Sequence, residues 1–585
     1  MGRVFLLAAV FLGLSACAQV AARAPEGGVH TTKPLDRATA AQLGLTSEDE
    51  ALSHFLKGQV ALQNSDYDVA TREFEAAVRL DPEESRLRVR LANLYVRRGD
   101  LQAAHEQAEI ATTMAPDDVE AQLLLAGTLV GLGREAEAAE IYERVIQKDP
   151  KAQEAYLFLA ALLSKSGREE EAVAQLERLT RENPGSVMGY YYLGRMHAAA
   201  GRFEQATHQF NEALRRNPRS ALILSDLGLV EEMQGHPDKA AGLYRRVLNI
   251  DPDNAVARKR LAAVLVGQKR LDEALAEFRE LERIETDPGE TRVKIALIYL
   301  EKGDYDRAAT ELNLVHGSDP QNARVNYYLG VIYSETGETD KATQFLEATP
   351  ATSPFYVEAQ LQLAYLAQKG SDLGGAIRHA NNALTVRPDS APILELMVSL
   401  ERDRKNLPGA IAFAQRLVAT EPGNDRYHFT LGALQGEAGD RAASLTTMRK
   451  AIELNPKNAA ALNYLGYSYA EQGQNLDEAE QLIRRALDID PNDGFYVDSL
   501  GWVYYQRGDF PRAVEQLERA VELSGDDPTV NEHLADAYRQ SGRELEAQRV
   551  YRDAMKKAED ESQRTRIEAK LRTVDRAAKP AGPSL

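Results

Sequence analysis

One cysteine, ten histidines and scattered acidic and aromatic clusters are what this 585-residue chain has to offer for chemistry. Cys17 closes an apolar run, Val4 to Leu14, that follows the cationic start Met1-Gly2-Arg3. That run is too short to span a bilayer and suits the core of a signal peptide. With a single cysteine in the chain, an intramolecular disulfide is excluded. The histidines fall at no metal-ligand spacing, and no His-Glu-x-x-His pair, Gly-x-Ser-x-Gly elbow or Gly-x-x-x-x-Gly-Lys phosphate loop occurs. Gly131-Leu132-Gly133-Arg134-Glu135-Ala136 fits a dinucleotide fingerprint by its letters alone. It falls in a turn between helical patterns with no strand ahead of it, which is a structural role. Glu169-Glu170-Glu171 opens a helical pattern, where carboxylates complement the helix dipole. The expectation is no enzyme, no metal, no cofactor and no small-molecule substrate. A net charge of −19, from 89 acidic and 70 basic residues, also argues against nucleic acid, whose binding needs clustered cations.

What remains is the chemistry of large side chains at surfaces, and their placement depends on the elements that carry them. Those elements repeat. Alanine recurs every 34 residues at Ala70, Ala104, Ala138, Ala172, Ala206, Ala240, Ala274, Ala308, Ala342, Ala376 and Ala410. Ser444 breaks the run, and Ala479, Ala513 and Ala547 resume it. Prolines keep the same step from Pro82 to Pro252 and, after small shifts at Pro288 and Pro320, from Pro354 to Pro456. With proline at position 32, position 8 is small (Gly58, Ala92, Ala126, Ala160, Gly194, Gly228) and position 20 is the alanine. Position 24 is mostly large and apolar, as in Phe74, Tyr142, Phe210 and Tyr244. Glycine at position 15, as in Gly99, Gly133 and Gly167, ends a first helix in a left-handed turn, and the proline ends the second. Small residues at 8 and 20 let two helices approach closely.

This period and pattern resemble the tetratricopeptide repeat family. The resemblance implies an all-α, right-handed superhelical solenoid of about fifteen helical hairpins. Residues 46–558 are read as that array, with Ser47-Glu48-Asp49-Glu50 as the capping box of its first helix. Residues 559–585 are read as a polar, solvated capping helix and frayed tail, since a solenoid must cover its last apolar face. The least regular stretches are 284–290, 349–354, 402–408 and 472–476. At the other end, Leu14-Ser15-Ala16-Cys17 resembles the bacterial lipoprotein signal, in which the thiol accepts a diacylglyceryl group. That implies a signal peptide at 1–16 and a lipidated Cys17 opening a flexible tether to residue 45. It also implies a periplasm-facing place at the outer membrane, Ala18 not being the Asp that marks inner-membrane retention. The membrane would be met through this lipid alone.

Family structures put positions 2, 5, 9, 12 and 13 on a concave groove. In this chain those positions hold Tyr191, Tyr327, Tyr365, Phe429, Tyr467, Trp502 and Tyr505, with Arg195, Asn463, Asp498 and Gln506 as polar companions. Aromatic residues in such a groove are protein-binding anchors. Tyr95, Tyr299, Tyr333, Tyr469, Tyr504 and Tyr538 stand at position 11 and are read as core. The stretches Leu462-Asn463-Tyr464-Leu465-Gly466-Tyr467 and Asp498-Ser499-Leu500-Gly501-Trp502-Val503-Tyr504-Tyr505 look like the closing repeats of a group of bacterial tetratricopeptide lipoproteins. One of that group is the adaptor of a periplasmic carboxyl-terminal processing protease and presents cell-wall hydrolases to it. The implied function is a scaffold that binds envelope proteins or peptides through the groove. The alternative is an accessory of polysaccharide export or of pilus and secretin assembly.

Overall fold

The computed structural model describes residues 46–525, 527–558 and 560–577. Cys17, the signal segment, the tether and the tail beyond residue 577 lie outside the described residues. Among those described, the chain is entirely helical, with 31 helices forming fifteen antiparallel hairpins and one final helix, Glu561–Ala577. The hairpins pack as two compact units, one ending at Ile298 and the other starting at Tyr299. Within each unit first helices of neighbouring hairpins meet, and each second helix packs on the first helix of the hairpin that follows.

The alanine register is the axis of every hairpin. Ala70, Ala104, Ala138, Ala172, Ala206, Ala240, Ala274, Ala308, Ala342, Ala376, Ala410, Ala479, Ala513 and Ala547 are all fully buried. Ser444 keeps that place because its hydroxyl donates to the Gly432 carbonyl at 2.7 Å. Position 8 takes the side chain of position 24 from the same hairpin. A Cβ at Gly58 would lie 2.7 Å from the Phe74 ring, one at Gly194 2.8 Å from Phe210, and one at Gly228 2.7 Å from Tyr244. Position 24 therefore fills the space within its own hairpin.

The turn between the two helices needs a left-handed residue, and all fifteen hairpins have one at position 15. Glycine supplies most of them, but Ser65 (φ 59°), Lys269 (φ 60°), Ser371 (φ 63°) and Lys405 (φ 62°) adopt the same conformation. Residues 402–408, irregular by sequence, are thus an ordinary hairpin turn with Lys405 in the glycine's place. The extra residue at 472–476 is absorbed by two left-handed residues, Gly473 and Asn475. At 349–354 the departure is larger. Pro350 cannot continue a helix, and Thr339–Glu347 stops after 9 residues where its neighbours run to 14.

The first helix starts one residue earlier than the sequence pattern suggests. Its N-cap is Thr46, whose hydroxyl accepts from Asp49 N at 3.3 Å, while the Asp49 carboxylate accepts from Thr46 N at 2.9 Å. The box is Thr46/Asp49 and not Ser47/Glu50, because Ser47 already has its backbone inside the helix. Carbonyls left open after the second helices are met by cations one repeat on. Arg416 donates to Pro388 O at 2.6 Å, Arg485 to Pro456 O at 3.0 Å and Arg519 to Pro491 O at 2.6 Å.

Overfilling the hairpin axis tests this packing. Gly228→Val drives two methyl groups into the Tyr244 ring and is expected to lower stability by about 1–3 kcal/mol. Gly242→Ala, at an exposed helical position with open space around it, is expected to raise stability by about 0.5–1 kcal/mol. Urea midpoints of the two variants check both signs.

Candidate functional site

Because first helices stack one repeat apart, residues 34 or 35 positions apart in the chain meet. In the second unit, Ala459–Glu471, Gly494–Gln506 and Pro528–Gln540 are consecutive first helices. They align Asn463, Asp498 and His533 on one row, with Tyr467 and Trp502 on the row one turn later. Trp502 stacks on both sides. Its ring is 4.5 Å from that of Tyr505, at an interplanar angle of 7°, and 4.1 Å from that of His533, at 24°. Tyr467 leans toward His533 at 6.3 Å, and Phe510 meets Tyr505 edge-on at 5.8 Å. Tyr467, Trp502 and Tyr505 are all partly exposed, so the stack presents aromatic surface while its base packs on the core.

A layer of buried charge holds this stack from beneath. His533 Nδ1 donates to Asp498 at 2.9 Å, and both side chains are buried. Burial alone would depress the His533 pKa; the Asp498 carboxylate outweighs it and raises the pKa above its ordinary value, so the imidazole keeps its proton to higher pH than a free histidine does. Glu532 accepts from Arg566 at 2.8 Å and lies 2.7 Å from Lys570 Nζ. Desolvation pushes the Glu532 carboxyl up, but these two cations hold it below its usual range. Asp536 takes Lys570 and the Tyr551 hydroxyl. Burial, reinforced by Asp498, raises the Tyr467 phenol well above its ordinary value. Buried charges are tolerated when paired and hydrogen-bonded, and here half of the pairing comes from the final helix. That helix is not solvated on its inner side: Ile567, Leu571 and Val574 enter the same core as Leu500, Val503 and Tyr504.

The other expected groove residues divide. Tyr191 is only 3% exposed, and its hydroxyl donates to Asp226 at 2.9 Å. Arg195 sits 3.8 Å from the same carboxylate and over the Tyr191 ring. This pair is a strut between neighbouring hairpins and offers no anchor, because the phenol is spent on the next first helix. Asp498 is likewise buried and committed to His533, so it supports the site without touching a partner. Tyr327 stacks on Phe355 at 5.4 Å, beside the shortened Thr339–Glu347 helix. Phe429 is partly buried against the core that carries Trp502. Tyr365 stands 56% exposed, away from the three-ring stack in sequence and fold. Asn463 Oδ1 and Trp502 Nε1 are buried and make no hydrogen bond within the described residues. Gln506 is partly exposed beside Gly473.

Tyr299, Tyr469, Tyr504 and Tyr538 are buried, and Tyr95 and Tyr333 are half-buried. Several of these hydroxyls reach back to the preceding second helix, as Tyr95 does to Glu75 at 2.8 Å and Tyr538 to Glu518 at 2.6 Å. Burial and Glu518 together push the Tyr538 phenol up to about 12. His533, Phe510 and Arg566 were not anticipated. One more 35-residue step from Asp498 points to His533, but the last repeat lacks the proline that marks the register. Among the described residues no cluster of three ligating side chains could hold a metal, and no helix is long and apolar enough to cross a membrane. His533 has its Nδ1 proton on Asp498 and a face against Trp502, which is a support and not a poised base. What the arrangement can do is hold a flat aromatic surface rigid for an apolar or aromatic group.

A raised histidine pKa makes stability pH-dependent with a fixed sign. The protonated pair is fully stabilising below the unfolded value of about 6.5 and is lost as pH rises through the higher folded value. The wild-type urea midpoint should therefore fall as pH rises above about 6.5. His533→Gln should be less stable than wild type near about pH 6.5 and show a flatter profile as pH rises.

The profiles of known families match most of the chain. One described as "Tetratricopeptide repeat" matches 129–191, 232–297 and 299–364. A second of that description matches 35–85, 55–104, 89–153, 191–255 and 429–494, and one described as "TPR repeat" matches 501–542. Curated proteins give no match. Similar solved structures include the Cut9–Hcn1 hetero-tetramer of the APC/C, at 15% identity over 92% of this chain and 99% of that one (TM-score 0.33). YrrB, a TPR protein with an unusual peptide-binding site, is 22% identical over 32% of this chain and 96% of its own (TM-score 0.28). A tetratricopeptide repeat protein from Parabacteroides merdae ATCC 43184 is 18% identical over 42% of this chain and 98% of its own (TM-score 0.29). With family profiles covering 35–297, 299–364, 429–494 and 501–542, the chain belongs to the tetratricopeptide repeat family.

Proposed function

We propose that this chain is a scaffold lipid-anchored at the outer membrane through Cys17 and facing the periplasm. On this reading the Tyr467–Trp502–Tyr505 surface docks an envelope protein or a segment of one. Tetratricopeptide arrays serve protein–protein interaction, and the observation that carries the specific reading is the stack of Tyr505, Trp502 and His533. Aromatic side chains fixed by stacking lose little freedom on binding, so the area they bury counts toward affinity. The pairing of Asp498 with His533, and of Glu532 with Arg566 and Lys570, keeps that surface in place before a partner arrives. The anchor rests on Leu14-Ser15-Ala16-Cys17 behind a short apolar core. The two closing repeats, with their likeness to protease-adaptor lipoproteins, favour a processing protease or a cell-wall hydrolase as the occupant.

Cys17→Ala is expected to move the protein from the membrane fraction to the soluble one, and unchanged membrane association would contradict the anchor. Affinity capture with the full chain is expected to enrich one envelope protein. Trp502→Ala should weaken that capture at least about tenfold, the effect of losing an anchor. Thermal melts of the same variant separate this from unfolding: equal capture by a folded Trp502→Ala protein sinks the proposed surface.

A further inference from the structure

The two ends of the array are finished differently. At the C-terminal end the final helix covers the last hairpin with Ile567, Leu571 and Val574. At the N-terminal end the first helix, Ser47–Gln63, carries Leu52, Leu56 and Val60 at 55%, 55% and 41% exposure. They stand at positions 2, 6 and 10, the places through which a first helix meets the repeat before it. Position 2 does so at Glu120, which lies 4.0 Å from Arg90. Position 6 does so at Asp226, which accepts from the Tyr191 hydroxyl at 2.9 Å, and at His533, which donates to Asp498 at 2.9 Å. Position 10 holds Leu94, Val230, Ile332 and Leu400, each at most 2% exposed. The open stripe is therefore the face that elsewhere receives chain from the N-terminal side.

Its surroundings select a narrow occupant. Positions 3 and 7 are buried as Leu87 and Leu91 in the next repeat, whereas here they are the exposed Ser53 and Lys57. A whole hairpin stacked in the usual way would bury that lysine without a partner, which is costly. A single helix laid over the stripe leaves it in water. The chain just ahead of Ser47 has the pattern for one. The tetratricopeptide profile match at this end starts at residue 35, ahead of the first helix. Leu35, Ala38 and Ala41 fall on one helix face, within about 120° of one another. Pro34 and Asp36 suit a first turn, and Gly44 suits a helix end.

We infer that residues 35–43 form a helix that turns at Gly44 and folds back over Leu52, Leu56 and Val60. It seals the N-terminal end of the array as Glu561–Ala577 seals the other. At about 1.5 Å per residue on either side of the turn, Ala38 comes level with Leu52 and Leu35 with Leu56. The residues just ahead of Pro34 come level with Val60. Alanine at 38 and 41 lets the two helices approach closely, as alanine does inside each hairpin. One consequence rests on the anchor proposed above: the free tether from Cys17 shrinks to residues 18–34, which reach roughly 55–60 Å when extended. The first repeat is then held nearer the membrane than a tether running to residue 45 would hold it.

Trypsin reads this cap in the full chain, purified in mild detergent, because Arg23 lies in the tether and Arg37 in the inferred helix. Cleavage after Arg37 is expected to be at least about tenfold slower than after Arg23, since it requires the helix to lift off. Leu56→Glu, on the array, and Leu35→Asp, on the helix, should each bring the two rates together without changing cleavage after Arg23. Thermal melts check that both variants keep the folded array, and Leu35→Asp lies outside it, so the test survives if Leu56→Glu unfolds. Equal cleavage at the two arginines of the wild-type chain overturns the inference. Protection of Arg37 that disappears on dilution from about 50 µM to about 1 µM overturns it too, since that result assigns the stripe to a second copy. Neither readout involves the membrane, so a failure of the lipid anchor leaves both intact.

Discussion

Everything in this molecule rests on how closely two helices can approach at the alanine of position 20. Because that side chain is a single methyl and is fully buried in hairpin after hairpin, the second helix lies against the first. The large residue at position 24 then closes over position 8. Gly58 under Phe74 and Gly228 under Tyr244 show how little room is left. Tight hairpins stack with their first helices side by side, and that brings residues one repeat apart into contact. The Tyr191–Asp226 strut, the Asp498–His533 pair and the Trp502 stack are all products of that step.

The hairpins were legible in the sequence because their determinants are local and periodic: alanine, glycine and proline at fixed offsets act through sterics alone. The turn at Lys405 was not, since the hairpin forces a left-handed residue whether or not glycine is present. Trp502, Tyr467 and Tyr505 could be placed together from register. Whether a groove position faces outward could not, because exposure depends on what stands one repeat later. Tyr191 has Asp226 there and is sealed in, whereas Tyr365 is left open. Arg566 and Lys570 lay outside the repeat pattern altogether, in a helix whose polar composition disguised a buried inner face.

The final helix illustrates how one element answers two demands. A stacked array must cover its last apolar face, and a row of buried acids must be neutralised. Ile567, Leu571 and Val574 meet the first demand, while Arg566 and Lys570 meet the second by reaching Glu532 and Asp536 exactly one repeat back in the ladder of contacts. The aromatic stack thus sits on a base whose two sides come from different elements, and its rigidity depends on both. The opposite end has no such helix among the described residues, and its first helix leaves an apolar stripe open.

The central claim is that the first-helix aromatic face of the closing repeats is where a protein partner binds. Site-specific photocross-linking in intact cells tests it most directly, with a benzophenone side chain at Tyr505 and, as the comparison, at Glu522 on the exposed side of the adjoining second helix. The account predicts a discrete adduct with an envelope protein from position 505 and none from position 522. Equal labelling from both positions, or a discrete adduct from 522 alone, would contradict it.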